Sequence, residues 1–223
     1  MMFMVCFYNS KHFETFCIII RLEMINFIAS LKDKLSGLKF TIPHDFRTVL
    51  FWQKLFIYFW IIAVAGHYIE RAWAIINRII VGAPPWHLIV PTVVPMAIPY
   101  GSGAVTIILT TVMLMKRFKL NPLAVFGINV VISGLVEYTC AALIVLIDGT
   151  NRFWNYSWHP FNINGYTCLE SSLLLGIVAT IFVYLIYPLV EKIFAKLKYK
   201  YVNVIFWVLL SVFVVDSVYS WLR

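Results

Sequence analysis

Charged residues are scarce in this sequence: Asp, Glu, Lys and Arg make up 13% of its 223 residues. Soluble domains carry about 25% charged residues. Hydrophobic residues make up 62% of the chain, and a chain of this length cannot hide so much apolar surface in one aqueous core. The composition therefore excludes a soluble globular protein and predicts that a lipid bilayer is part of the solvent.

Several motifs that define common binding sites are also missing. The four cysteines are scattered without a CxxC pair, so neither a zinc site nor a disulfide framework is predicted. No Walker A loop occurs, so the chain is not expected to bind ATP through one. His67 and Glu70 have a spacing that suits a metal, but no further ligands are specified. We therefore predict no metal, no cofactor and no catalytic residues.

Lys and Arg outnumber the acidic residues by 18 to 10, which leaves a net charge of +8. Nucleic-acid binding would need a basic surface on a soluble fold or interleaved stacking aromatics, and the sequence shows neither. The positions of these cations relative to the apolar segments are informative instead, because they report orientation in a membrane.

Five segments have the length and apolar character of a membrane-spanning helix. They cover residues 49–66, 101–115, 120–147, 169–190 and 202–222. The stretch 84–100 is also apolar, but Pro91, Pro95 and Pro99 interrupt it, and proline breaks a helix. The sequence predicts an all-α, polytopic membrane helix bundle of about five spans, with a broken or re-entrant segment before the second.

The distribution of Lys and Arg around these spans predicts the orientation. Fourteen lie on the side of the N-terminus and of the loops at 116–119 and 191–201, and four lie on the other side. Because cytoplasmic loops are enriched in Lys and Arg, we expect a multi-pass cell-membrane protein with a cytoplasmic N-terminus. The loops at 67–100 and 148–168, and the C-terminus, are then outside.

Residues 1–48 differ in kind from the rest and are predicted to form a cytoplasmic extension to the transmembrane domain of residues 49–223. From Ile20 to Leu38 apolar residues follow helical spacing, which predicts an amphipathic helix. It could lie on the anionic leaflet or pack under the bundle.

Polar residues within the spans point to the bundle interior, because the bilayer disfavours them. Asn129, Ser133, Glu137 and Cys140 recur at helical spacing in the third span. Glu137 is either a cation-binding or proton-linked carboxylate, or a structural one that pairs with an arginine or accepts hydrogen bonds from the next helix.

Three further acidic residues lie toward the outer face. Glu70 is expected to pair with Arg71, Arg78 or Arg152. Glu170 opens the fourth span, where the helix dipole favours a carboxylate. Asp216 is about two turns from the outer end of the last span and is expected to reach water.

Two further segments each allow two interpretations. The small residues of 101–104 could bring free backbone N–H groups to an anion, or let two helices pack closely. The outer loop 151–165 mixes aromatic and amide side chains, which suits either an interfacial aromatic belt or a lid over a ligand.

The ordered motifs resemble a family of bacterial membrane proteins, the putative type IV ABC-transporter family. The motifs run from Gly66 to Glu70, with Asn77-Arg78, then Tyr-Gly-Ser-Gly-Ala at 100–104, Val-Glu-Tyr-Thr at 136–139, Trp-Asn-Tyr-Ser at 154–157, Pro-Phe-Asn at 160–162, Gly165 and Cys168-Leu169. The resemblance covers residues 50–220. Three positions depart from the family pattern, with His67 in place of Trp, Asn155 in place of Asp and Tyr166 in place of Arg.

The resemblance implies a permease-like component with a polar ligand site between the outer loops and the third span. The site residues it implies are Glu70, Tyr100, Gly101, Gly103, Glu137, Tyr138, Trp154, Tyr156, Ser157, Phe161, Asn162 and Gly165. The implied partners are the bilayer and a separate ATPase subunit or further copies of the chain. The alternatives are a membrane enzyme for a lipid or lipid-linked substrate, or a non-catalytic scaffold or accessory subunit.

Overall fold

The computed structural model describes residues 48–81, 93–151 and 153–222, and the side chains at 73, 74, 77, 78, 80, 81 and 221 are not among those described. The predicted amphipathic helix and most of the proline-rich segment lie outside these ranges. Arg78 and Arg152, two of the three expected partners of Glu70, also lie outside the described side chains.

The described residues form α-helices joined by π-helical turns and short loops. The helices are α1 (Val49–Val81), α2 (Ile98–Ile107), α3 (Met113–Arg117), α4 (Pro122–Asp148), α5 (Leu169–Ile181), α6 (Tyr187–Lys196) and α7 (Tyr199–Leu222). One π-helical turn (Ile108–Val112) joins α2 to α3, and another (Phe182–Ile186) joins α5 to α6. The antiparallel strands β1 (Asn162–Ile163) and β2 (Thr167–Cys168) form a small hairpin before α5.

Five helical stretches in the described ranges are long and apolar enough to cross a bilayer, which confirms the predicted fold class. These spans are Val49–Ala72, Ile98–Arg117, Pro122–Asp148, Leu169–Lys196 and Tyr199–Ser220. We call the end of the bundle that carries residues 149–168 the loop end. The opposite end, where residues 118–121 and 197–198 connect the spans, is the turn end.

The third span buries its polar face and exposes its apolar one. Val125, Asn129, Ser133, Glu137 and Ala141 are buried at four-residue intervals. Leu135 and Leu143 on other faces are 61% and 51% exposed. A water-soluble helix would show the reverse pattern, so this distribution is the one expected for a helix surrounded partly by lipid.

The first two spans are in close contact at the small residues of the second span, where Phe59 of the first span lies against Gly101. A Cβ at Gly101 would lie 2.7 Å from the Phe59 carbonyl oxygen, so only glycine fits this approach. Just before α2, the Ala97 N–H donates to the Ala63 carbonyl at 2.9 Å. These contacts support the close-packing interpretation of residues 101–104.

Asp216 attaches the segment before the second span to the last one. Its Oδ1 accepts hydrogen bonds from the backbone N–H groups of Val93 at 2.7 Å and Val94 at 3.2 Å. The side chain is buried, so the expectation that Asp216 reaches water is wrong. The peptide N–H groups before Pro95 need an acceptor because they are not part of a helix, and Asp216 supplies it.

Candidate functional site

Three hydroxyl groups surround the carboxylate of Glu137 near the loop end. Tyr156 Oη and Ser171 Oγ each donate to Oε1 at 2.7 Å, and Thr167 Oγ1 donates to Oε2 at 2.7 Å. We call Glu137, Tyr156, Thr167 and Ser171 the hydroxyl cage. All four residues are buried. Of the two structural roles open to Glu137, the structure shows hydrogen bonding to the next helix and to the preceding loop, and none of the described arginine side chains pairs with it.

Local structure brings the three donors to one point. Thr167 lies in β2 and Ser171 in the first turn of α5, where Cys168 caps the helix by accepting from the Ser171 N–H at 3.4 Å. Tyr156 lies in the loop and donates its own N–H to the Gly165 carbonyl at 2.9 Å. Donors from a strand, a helix start and a loop therefore converge on one residue of the third span.

The loop members of this region are protonated groups at neutral pH. Burial, and then the neighbouring Glu137 carboxylate, raise the pKa of Tyr156 well above its ordinary value. Burial raises the pKa of the Cys168 thiol to about 11. Tyr156 is therefore a permanent hydrogen-bond donor to Glu137, and Cys168 is a poor nucleophile.

Tyr100 links the hydroxyl cage to Glu70. Its hydroxyl interacts electrostatically with Glu70, Tyr156 and Glu137. It lies beside the Glu70 carboxylate, but the buried hydroxyl makes no hydrogen bond with full distance and angle geometry. Side chains from the first three spans and the loop thus meet around a polar atom without a bonded partner. Arg71 forms no ion pair with Glu70 among the described side chains.

The loop that carries Tyr156 is held together by amide side chains. Asn155 Oδ1 accepts from the Ser157 N–H at 2.9 Å and from its hydroxyl at 2.6 Å. Asn162 donates to the His159 carbonyl at 2.7 Å and accepts from the Gly165 N–H at 3.1 Å. Gly165 has a positive φ of 70°, which glycine tolerates best. These contacts position the loop on the bundle.

The structure separates the predicted site residues into groups. Glu70, Tyr100, Glu137 and Tyr156 come together at the loop end. Trp154, Ser157, Asn162 and Gly165 hold the loop, and Trp154 Nε1 donates to the Tyr166 carbonyl at 2.8 Å. The Tyr138 hydroxyl accepts a hydrogen bond from the Asn164 side-chain amide at 3.0 Å.

The remaining predicted site residues lie elsewhere. Gly101 and Gly103 lie at helix contacts with Phe59 and Val136. Phe161 is 73% exposed and does not reach the cage.

Sequence reasoning missed the contact between His159 and Glu170. His159 Nδ1 lies 3.1 Å from Glu170 Oε2, and His159 is buried. Glu170 is in the first turn of α5, as the dipole argument predicts, but its contact with the loop depends on the fold. A histidine 11 residues away carries no local sequence signal for such a contact.

Two further clusters of polar side chains in the bundle were not predicted from the sequence. Thr111 donates to Asn129 at 2.7 Å, and Asn129 donates to Thr180 at 3.1 Å, which joins three spans by buried hydrogen bonds. Near the turn end, Lys54 Nζ lies 3.2 Å from Glu191 Oε2. Tyr58 donates to the other oxygen of Glu191 at 3.1 Å.

The described residues contain no group of three or more His, Cys, Asp or Glu side chains placed to hold a metal ion. In particular, His67 and Glu70 do not gain further ligands within these ranges.

Two of the three positions that depart from the family pattern make local hydrogen bonds. Asn155 forms the turn with Ser157, and the backbone of Tyr166 accepts from Trp154.

Comparison with known proteins agrees with the fold and the motifs. The sequence model of the family described as "Putative ABC-transporter type IV" matches residues 57–221. No curated protein and no solved structure matches the chain significantly. The matched range contains the hydroxyl cage, Tyr100 and Glu70, and it covers well over half of the chain. The chain therefore belongs to the type IV family of ABC-transporter-like membrane proteins.

Proposed function

We propose that this protein is the permease-like membrane subunit of a transport system, with its solute site at the loop end beside Tyr100. Family membership and the five spans support a transporter-like membrane protein. The observation that carries the position of the site is the Tyr100 hydroxyl. A buried hydroxyl without a hydrogen bond is costly, and a bound solute would supply the missing partner.

The charge at the loop end favours a cationic solute. Five of the six acidic residues in the described ranges lie toward the loop end: Glu70, Glu137, Asp148, Glu170 and Asp216. Arg71 is the basic residue there whose side chain is described. Because an opposite charge stabilises a buried carboxylate, a solute with an ammonium group fits this end better than an anion does.

Energy for transport would come from a separate ATPase subunit, since the chain has no Walker A loop. Affinity purification of the full chain from its native membranes in mild detergent, followed by quantitative mass spectrometry, tests this. We expect an ATP-binding-cassette ATPase in stoichiometric amount, with ATP hydrolysis by the purified pair. A chain that is recovered without any ATPase, even after crosslinking in the membrane, would count against the permease role.

The variant Tyr100→Phe tests the solute site. Because the buried hydroxyl makes no hydrogen bond, we expect its removal to leave the unfolding temperature unchanged or to raise it. The purified protein is screened by thermal shift against a polyamine, a quaternary ammonium compound, a basic amino acid, and neutral and anionic analogues. We expect a cationic compound to stabilise the parent, and Tyr100→Phe to weaken that binding by about tenfold, the value of one hydrogen bond.

Tyr184→Phe is the matched control, because this half-buried tyrosine lies in the fourth span away from Tyr100. It should bind the same compound as the parent does. If no compound stabilises the parent, or if both variants lose binding equally, the site is not at Tyr100. A hydroxyl cage that affects only stability would then favour the scaffold alternative.

We also propose that the loop end faces outside and the N-terminus the cytoplasm, in accord with the distribution of Lys and Arg. Ile163 is 58% exposed in β1, so Ile163→Cys gives a labelling site in the loop. A membrane-impermeant thiol reagent added to intact cells should label it. Protection in intact cells, with labelling after the membrane is permeabilised, would reverse the orientation.

A further inference from the structure

The turn end of the bundle carries a set of exposed cations. These cations are exposed and lie at the ends of the second, fourth and fifth spans, and we call them the basic rim. The rim consists of Arg117, Lys119, Lys192, Lys196, Lys198 and Lys200, all of which are exposed.

The acidic residue at this end does not neutralise the rim. Glu191 is 8% exposed, and its two oxygens are engaged by Lys54 and Tyr58. It is the one acidic residue near the turn end among the described residues. The rim therefore presents a concentrated positive charge whose anionic partner is not supplied by the described part of the chain.

The two parts of the rim lie at the same end of one bundle. Leu120, which follows Lys119, and Leu197, between Lys196 and Lys198, pack against one buried cluster that includes Phe194 and Val202. The rim residues of the second span and those of the fourth and fifth are thus carried by one hydrophobic core.

The connecting turns are too short to lift these cations away from the membrane. Residues 118–121 join the second span to the third, and residues 197–198 join the fourth to the fifth. Exposed aromatic rings lie among the cations: Phe118 is 52% exposed, Tyr199 55% and Tyr201 50%. Tyr and Trp gather at the depth of lipid headgroups, so the rim cations lie at that depth too.

Helix dipoles account for only part of the rim. Arg117 and Lys196 lie in the last turns of α3 and α6, where a cation is favourable. Lys119 and Lys198 lie outside the helices. Lys200 lies in the first turn of α7, where the dipole disfavours a cation. The helix dipoles therefore do not explain the positions of these three lysines.

We propose that the basic rim binds the headgroups of anionic phospholipids. The phosphates are the anions present at the depth that the short turns impose. The N-terminal 47 residues are a poor alternative occupant, because they carry six basic and four acidic residues and a net charge of +2. The rim contacts the edge of the bilayer directly, so this inference does not depend on a transport function.

Retention of phosphatidylglycerol against phosphatidylcholine by the purified full chain tests the proposal. The protein is equilibrated with mixed micelles that contain both lipids, and bound lipid is counted by native mass spectrometry. We expect the parent to prefer phosphatidylglycerol, and the preference to fall as salt rises. The triple variant Lys119→Gln, Lys198→Gln, Lys200→Gln should lose much of it, since each lysine near an anionic surface contributes about fivefold.

Arg71→Gln is the matched control, because it removes an exposed cation at the loop end and should keep the preference. Equal binding of the two lipids by the parent would overturn the proposal, as would a triple variant that retains the full preference or a control that loses as much. If the triple variant instead releases a co-purified acidic protein with lipid preference unchanged, the rim binds protein and the lipid assignment is wrong.

Discussion

Removal of the Glu137 carboxylate should loosen the loop end of the bundle. Glu137→Ala takes away an acceptor that three hydroxyl groups share at 2.7 Å. Hydrogen bonds to a charged group contribute about 1.5–3 kcal/mol each. The hydroxyls can recover part of this, because Tyr156 lies 3.2 Å from Ser171, and Thr167 lies 3.3 Å from Ser172. We therefore expect a net loss of about 2–4 kcal/mol in the free energy of unfolding.

Glu137→Gln should cost less. The amide oxygen still accepts from Tyr156 and Ser171, and the Thr167 hydroxyl can accept from the new NH₂ group and donate to Ser172. What is lost is the charge assistance, which makes such bonds roughly twice as strong, so we expect about 1 kcal/mol. The order of stability should be parent, Gln variant, Ala variant.

Hydrogen exchange on the purified full chain in detergent measures the effect locally. Amides that close the loop, such as the Tyr156 N–H bonded to Gly165, should exchange about 30 to 1,000 times faster in Glu137→Ala, because about 1.4 kcal/mol corresponds to tenfold. Denaturant unfolding gives the global value.

Thr139→Ala is the matched control, because Thr139 is exposed on the same helix and donates to its own backbone at Leu135. If Glu137→Ala destabilises the protein no more than Thr139→Ala does, the hydroxyl cage does not hold the loop, and the reasoning is refuted.

Three other perturbations test separate parts of the structure. Asp216→Ala should speed hydrogen exchange at the Val93 and Val94 amides about tenfold to hundredfold, because both amides lose their acceptor. Asp216→Asn keeps Oδ1 and should have a smaller effect. Unchanged exchange in the Ala variant would contradict the contact. Gly165→Ala, at a φ of 70° and with the Asn155 oxygen 3.0 Å from the new Cβ, should lower stability by about 1–2 kcal/mol. Gly127→Ala, where a Cβ meets nothing within 4 Å, should be neutral or stabilising, and equal effects at the two glycines would show that the loop tolerates the strain. With the other three cysteines changed to serine, Cys168 should react with a maleimide tenfold faster for each unit that pH rises from 8 toward its pKa of about 11; a plateau near pH 8.5, as in the denatured chain, would mean that the thiol is not buried.

The two ends of the bundle differ in charge. Five acidic residues of the described ranges lie toward the loop end, whereas the basic rim and a single buried acid lie at the turn end. Such an asymmetry favours one orientation in a membrane with an anionic cytoplasmic leaflet. It also separates the proposed solute site from the proposed lipid site by the thickness of the bundle.

The membrane class, the number of spans and the inward face of the third span could be predicted from the sequence. Runs of about 20 apolar residues leave few alternatives in a bilayer. The four-residue spacing of Asn129, Ser133 and Glu137 follows from helix geometry alone, and the structure buries all three. The start of the second span was predicted less accurately: α2 begins at Ile98, three residues before the predicted start at residue 101.

Long-range partners could not be predicted in the same way. Asp216 illustrates this, since its position near a helix end indicated water, whereas it binds the backbone of Val93 and Val94, more than 120 residues earlier. The ion pair of Lys54 with Glu191 spans 137 residues. No local propensity encodes which distant side chain will meet another, because that depends on how the spans pack.

The sequence alone determined the solvent of this protein and the helices that follow from it, because hydrophobicity and periodicity are local properties that every span carries by itself. Only the tertiary structure decided what the rare polar groups do. It placed three hydroxyls around Glu137 and left the Tyr100 hydroxyl without a bonded partner. In a bilayer the cost of an unpaired polar group is high, so the packing of the spans decides whether each such group is structural or available to a ligand.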